Sequence, residues 1–149
     1  MPKEITIASN RKASFEYELV ERLVAGMSLL GTEVKSLRSG NVSFADAYCT
    51  IDHRGLLLRN LNIPIYKEGT IYNHEPLRVR SLLVTKLELK KLERKVKEKG
   101  LTIVPTRLFF GERGFAKIEI ALARGKKSFD KRETIKQKDL QKQINRNEY

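Results

Sequence analysis

Cysteine is nearly missing from this chain. The one thiol among 149 residues, Cys49, cannot form an internal disulfide, and with two widely separated histidines, His53 and His74, no metal-ligand spacing exists. No apolar run approaches the length of a membrane span, and Met1-Pro2-Lys3-Glu4-Ile5 lacks the apolar core of an export signal, so the expectation is a cytoplasmic protein with no membrane partner. Nowhere does the sequence spell a nucleophile beside a base that a third group orients, nor a cluster of acids fit to hold catalytic metal ions. The expectation is therefore no catalytic residue, no metal and no cofactor. Acids are scarce overall: 18 Asp and Glu stand against 30 Lys and Arg, a formal net charge of +12. Such a field draws polyanions and releases their counterions, which favours a nucleic acid as partner.

The length suits one domain whose core needs no cross-link. Phe15, Tyr17 and Leu19 alternate with Glu16 and Glu18, and Ala25-Gly26 interrupts the pattern, which predicts two strands between Phe15 and Leu30. Val34 and Leu37 at helical spacing, with Gly40 as a stop, predict a short helix from Thr32 to Arg38. Tyr48 to Ile51 and Leu56 to Leu58 flank Asp52-His53-Arg54-Gly55, a hairpin pattern. Pro64 to Arg80 has weak periodicity and reads as a long loop packed by Ile65, Tyr66 and Tyr72. Thr85 and Glu88 have capping-box spacing, Leu89, Leu92 and Val96 follow on one helix face, and Gly100 closes the pattern. Strands are expected from Leu101 to Phe110 and from Phe115 to Ala123. Residues 124–149 contain nine Lys or Arg and four acids with no alternation. The fold class that follows is mainly β with helices: an OB-like antiparallel β-barrel over residues 1–125, and a basic C-terminal tail over 126–149 that is disordered in the free protein.

Several residues admit two readings. Cys49 lies in an apolar strand and reads as a buried structural thiol rather than a nucleophile. His74, with Arg78 and Arg80 in the long loop, suits phosphate contact or base stacking and equally suits a solvated loop. The cations Lys90, Lys91, Arg94, Lys95 and Lys97 are interleaved with Glu93 and Glu98, as on an ordinary solvated helix face. From Arg124 to Arg132 five cations surround Phe129, an arrangement for backbone contact and stacking, or a tail that keeps the protein soluble.

Longer blocks carry more information. Asn10-Arg11-Lys12-Ala13, Ala25-Gly26-Met27-Ser28-Leu29, Gly31 through Gly40, Asp46-Ala47-Tyr48, Arg78-Val79-Arg80-Ser81-Leu82-Leu83, Leu101 to Pro105, Ala121 to Lys127 and Asp130-Lys131-Arg132 resemble, in order, the motifs of the SsrA-binding protein (SmpB) family. The resemblance runs from about Ile7 to Arg132. Val24 stands where that family usually has an acid.

The resemblance implies an OB-like barrel that binds the tRNA-like domain of transfer-messenger RNA (tmRNA) and delivers it to stalled ribosomes in trans-translation. Elongation factor Tu and alanyl-tRNA synthetase would be partners indirectly, through the RNA. Carried over position by position, the RNA-binding residues would be Asn10, Arg11, Lys12, Gly26, Glu33, Lys35, Arg38, Arg78, Arg80 and Leu83. The tail residues Gly125, Lys126, Lys127, Phe129, Asp130, Lys131 and Arg132 would enter the decoding centre of the small ribosomal subunit, becoming ordered there, and the tail would continue into the empty mRNA channel. A general OB-type single-stranded RNA-binding or ribosomal protein is the alternative.

Overall fold

The computed structural model describes residues 4–67 and 73–125. In chain order these form β1 (Ile5–Ser9), α1 (Arg11–Glu16), β2 (Tyr17–Met27), α2 (Gly31–Arg38), β3 (Tyr48–Asp52), β4 (Gly55–Arg59), β5 (Arg80–Leu83), α3 (Lys86–Lys99), β6 (Thr102–Phe110) and β7 (Ala116–Gly125). All strand pairs are antiparallel. The ladder runs β6-β3-β4-β5-β2-β7 and returns to β6, so six strands close a ring, with β1 attached to the far half of β6. Closure gives the ring strands partners on both sides, as expected for a small barrel.

Strand alternation fills the interior. On β7, Ala116, Ile118, Ile120 and Leu122 are buried while Lys117 is exposed; Leu56 and Leu58 of β4, Ile103 and Leu108 of β6 and Leu82 of β5 join them. α3 covers one side through buried Leu92, with Leu89 and Val96 beside it. Its ends are built as the sequence predicts. Thr85 Oγ1 accepts the Glu88 N–H at 3.2 Å, Glu88 Oε1 accepts the Thr85 N–H at 2.9 Å, and Gly100 takes the left-handed conformation at φ +61°. Glu21 on β2 receives Lys91 at 3.0 Å, and also Lys95.

The segment expected to be two strands is one. β7 pairs with β2 without a break from Leu23 through Gly26, so the glycine is carried inside a continuous ladder. The real irregularity is a bulge between Leu19 and Glu21, which changes the face each side chain takes. Before it, Tyr17 and Leu19 pack with Ala13, Val104 and Ala123 in a satellite core; after it, Leu23 and Ala25 join the main core. Phe15 therefore belongs to α1, not to a strand. β5 begins at the end of the stretch expected to be a loop. Its inward positions are Arg80 and Leu82 and its outward ones Ser81 and Leu83, an alternation masked by a buried arginine.

Candidate nucleic-acid interface

α2 docks through polar groups. Its buried residues are Glu33, Ser36 and Leu37, and two of those three must find hydrogen-bond partners. Ser36 Oγ donates to the Pro64 carbonyl at 2.7 Å. Thr32 Oγ1 lies 2.9 Å from His74 Nδ1, and His74 Nε2 lies 2.7 Å from the Ile63 carbonyl. A carbonyl only accepts, so Nε2 is the donor there, and in a neutral ring Nδ1 accepts the Thr32 hydroxyl. His74 is buried, with 4% exposure. It is neither a phosphate ligand nor a solvated loop residue: it ties α2 to the segment after β4.

At the centre is a three-residue ion cluster. Glu33 Oε1 accepts the Leu30 N–H at 2.8 Å and Arg78 Nη2 at 2.6 Å, while Oε2 accepts Arg80 Nε. Arg80 Nη1 and Nη2 donate to the carbonyls of Leu61, at 2.6 Å, and Pro76, at 3.0 Å. The side chains of Glu33 and Arg80 have no exposure, whereas that of Arg78 has 32%. Burial pushes the Glu33 pKa up, but the hydrogen bonds from Arg78, the Leu30 backbone and Arg80 outweigh it and hold the carboxyl below its usual range. Burial likewise lowers the pKa of Arg80, and Glu33 opposes that shift. One carboxylate neutralises one of two guanidiniums, so the net charge of the cluster is +1, and Arg78 is its exposed member. Arg78 Nε is buried and has no hydrogen-bond partner among the described residues.

Beside this cluster β2 meets β5. Gly26 pairs with Leu83, and a Cβ on Gly26 would lie 3.3 Å from the Leu83 Cβ. The glycine lets Leu83 lie across the strand; Leu83 is nonetheless 60% exposed. On its other side Gly26 pairs with Lys117 of β7. Lys35 and Arg38 are on the exposed side of α2, with Lys35 Nζ 5.7 Å from the centroid of the Tyr66 ring.

The structure thus gathers Gly26, Glu33, Lys35, Arg38, Arg78, Arg80 and Leu83 around α2 and the β2–β5 seam. Two of them, Glu33 and Arg80, have side chains with no exposure; they hold Arg78 and α2 in place. Asn10, the N-cap of α1, and Arg11 and Lys12 in its first turn lie elsewhere, where α1 packs on β6 and on the far end of β2. The Asn10 N–H donates to the Thr106 carbonyl at 2.8 Å and Asn10 Nδ2 to that of Pro105 at 2.9 Å. Asn10 thereby satisfies the stretch of β6 edge between its β3 pairing at Ile103 and its β1 pairing at Arg107. Arg11 and Lys12 are exposed. Gly125 ends β7 opposite Tyr17. Tyr17 and Gly26 are at opposite ends of β2, roughly 30 Å apart at about 3.3 Å per residue. Lys126, Lys127, Phe129, Asp130, Lys131 and Arg132 lie outside the described residues, as does Tyr72.

Cys49 is buried and its pKa is raised by desolvation, which suits a structural thiol. On α3, Lys91 and Lys95 face Glu21 and Lys97 faces Glu93 at 3.1 Å, the pattern of a solvated helix surface. Sequence reasoning passed over Phe115 and Lys117, and took Val24 only as the place of an acid. Val24 and Phe115 are exposed apolar side chains, at 45% and 70%, and Lys117 is exposed beside Gly26. The alternation Ala116, Ile118, Ile120 already places Phe115 and Lys117 outward; the nearness of Lys117 to Gly26 depends on the β2–β7 register, which one sequence does not display.

Comparison with known proteins agrees along nearly the whole chain. The family described as SmpB protein matches residues 7–148. The SsrA-binding protein of Cytophaga hutchinsonii is 55% identical over 137 residues, 92% of this chain and 90% of that protein. That of Thermosipho africanus is 49% identical over 93% of each chain, and that of Chlorobaculum tepidum 48% identical over 96% of this chain and 91% of its own. A solved structure described as "tmRNA-SmpB: a journey to the center of the bacterial ribosome" superposes with a TM-score of 0.69 at 47% identity, covering 81% of this chain and 85% of the other.

Proposed function

From the premise that this chain belongs to the SmpB protein family, we propose that it is the RNA-binding adaptor of trans-translation, binding tmRNA through the barrel and bringing it to stalled ribosomes. The observation that carries the reading is the coincidence of two facts: the similarity to SsrA-binding proteins spans more than nine-tenths of the chain, and the motif residues Gly26, Lys35, Arg38, Arg78 and Leu83 lie around α2, where three of them are cations. Arg78, Lys35 and Arg38 supply charge for phosphates there. Leu83 and Gly26 supply a flat apolar step against which a ribose or base can lie, and Glu33 and Arg80 hold the face rigid beneath it. Recognition of this kind is by shape, phosphate and 2′-hydroxyl more than by base sequence.

Arg11 and Lys12 form a second cationic site toward the other end of β2, the end from which the chain leaves the barrel at Gly125. In this reading the barrel is a spacer: RNA is held at the α2 face, and residues 126–149 start roughly 30 Å away. Lys126, Lys127, Lys131 and Arg132 neutralise ribosomal phosphates in the decoding centre, Phe129 stacks on a base there, and Asp130 orients the turn. The protein acts in the cytoplasm as an adaptor and not as a catalyst. It meets elongation factor Tu and alanyl-tRNA synthetase through the bound RNA.

Deletion of residues 126–149 tests the division of labour. The truncated chain keeps its affinity for tmRNA within a few-fold and loses peptide tagging on stalled ribosomes in a reconstituted translation system. Loss of RNA affinity with tagging intact would reverse the assignment.

A further inference from the structure

Phe115 is among the most exposed large apolar side chains of the described residues, at 70%. It sits at the β6–β7 hairpin, on a turn that is held rather than loose: the Gly111 N–H donates to the Phe115 carbonyl at 2.9 Å, the Gly114 N–H donates to the Gly111 carbonyl at 2.9 Å, and Gly114 takes φ +82°. A ring displayed on a pinned turn loses little conformational entropy on meeting a partner. Exposing it to water without a use is unfavourable by the hydrophobic effect.

The neighbours indicate which partner. Arg113 and Lys117 are exposed and make no ion pair with a carboxylate among the described residues, in contrast to Arg22, Arg54, Lys91, Lys95, Arg107 and Arg124. The stem of Lys117 crosses Gly111, its Cε 3.1 Å from where a Cβ would sit, so the lysine is seated at the foot of the same turn. Two cations outnumber the one acid there, Glu112. Register fixes the direction: Lys117 pairs with Gly26 and Gly26 with Leu83. Phe115, two residues before Lys117, takes the same outward side of the barrel, one row further toward the end where Arg78 donates to the Ser28 carbonyl at 3.3 Å. An aromatic ring flanked by cations, beside a face already cationic, has the chemistry of a nucleobase stacking site.

We infer that the β6–β7 hairpin is a stacking finger, on which Phe115 takes an unpaired base of the bound RNA while Arg113 and Lys117 hold the adjoining phosphates. The inference rests on the RNA-binding reading of the α2 face and extends that face by one element.

The chain contains no tryptophan, so Phe115→Trp introduces a single indole as reporter. Full-length wild type, Phe115→Ala, Phe115→Trp and the Arg113→Gln/Lys117→Gln pair are titrated by fluorescence anisotropy against the tRNA-like fragment of tmRNA and against bulk tRNA at fixed salt. The expected result is binding of the tRNA-like fragment about 5- to 150-fold weaker for Phe115→Ala, the range that loss of one base–aromatic stack gives. Phe115→Trp keeps wild-type affinity and its emission changes on binding. The Arg113→Gln/Lys117→Gln pair binds more weakly and with a shallower dependence on salt. Wild-type affinity in Phe115→Ala, with indole emission unmoved by RNA, would overturn the finger while leaving the α2 face intact. Undiminished RNA binding by Phe115→Ala together with reduced tagging would overturn it in favour of a protein contact on the ribosome. If wild type failed to prefer tmRNA but Phe115→Ala bound every RNA more weakly, the finger would stand and the rescue reading would fall.

Discussion

Glu33 is the residue on which the α2 face most depends, and Glu33→Gln is the sharpest perturbation of it. Glutamine keeps the shape but replaces one acceptor oxygen by an NH2 group that faces a guanidinium donor, and it removes the charge that Arg78 and Arg80 share. Arg80 has no side-chain exposure, so water cannot take over. Breaking a buried pair by removing one partner costs roughly 3–5 kcal/mol. For a chain of this size each kcal/mol is worth about 2–4 °C, which predicts a melting temperature lower by roughly 6–20 °C at pH 7. Differential scanning calorimetry of the two proteins measures it.

Acid provides an internal control. Because the folded-state pKa of Glu33 is depressed below 4.5, its contribution is complete above that value and is lost as the pH falls through the folded pKa. The gap between wild type and Glu33→Gln therefore holds above about pH 4.5 and narrows as the pH falls below it. Adding Arg80→Met to Glu33→Gln should cost less than the two single changes summed, since the second change removes the charge the first one orphaned. A melting temperature for Glu33→Gln within about 2 °C of wild type at pH 7 would refute the idea that this cluster anchors α2.

Other consequences follow from individual side chains. Gly26→Val drives a branched side chain into Leu83 and lowers affinity for the tRNA-like RNA; Leu83→Gly in the same chain removes the Cβ that a Gly26 Cβ would meet at 3.3 Å, which binding titrations of the single and double variants would detect as a smaller combined loss than the sum. Lys35→Glu with Arg38→Glu reverses two charges on the exposed side of α2, and should both weaken RNA binding and flatten its dependence on salt concentration, by about one unit of log–log slope for each phosphate no longer neutralised. Thr85→Ala removes the N-cap of α3 at a cost of about 1 kcal/mol, read as a shift of the urea midpoint with an unchanged slope.

Much of the fold is legible in the sequence because it is written in short-range patterns. The capping box at Thr85, the stops at Gly40 and Gly100, the 48–58 hairpin and the alternation on β7 each need only neighbours along the chain. What escaped needed partners far away. β2 continues through Ala25-Gly26 because β7 pairs with it there, and no local propensity announces that. β5 is disguised by Arg80, whose inward position makes sense only once Glu33, 47 residues before it, is seen to face it. The site divides along the same line: exposed cations such as Lys35 are recognisable as candidate contacts, whereas Glu33, Arg80 and His74, polar residues that look ready for a ligand, are consumed inside the fold. Asn10 combines the two, since its amide completes the edge of β6 while Arg11 and Lys12 beside it remain exposed.

The proposed function requires the barrel to select tmRNA among RNAs. A competition titration tests it most directly: labelled tRNA-like fragment bound to the full-length chain at near-physiological salt, displaced by unlabelled fragment or by bulk tRNA. The expected result is that the unlabelled fragment displaces at far lower concentration than tRNA does. Equal displacement by both would contradict it and leave a basic OB-type protein that binds RNA without discrimination.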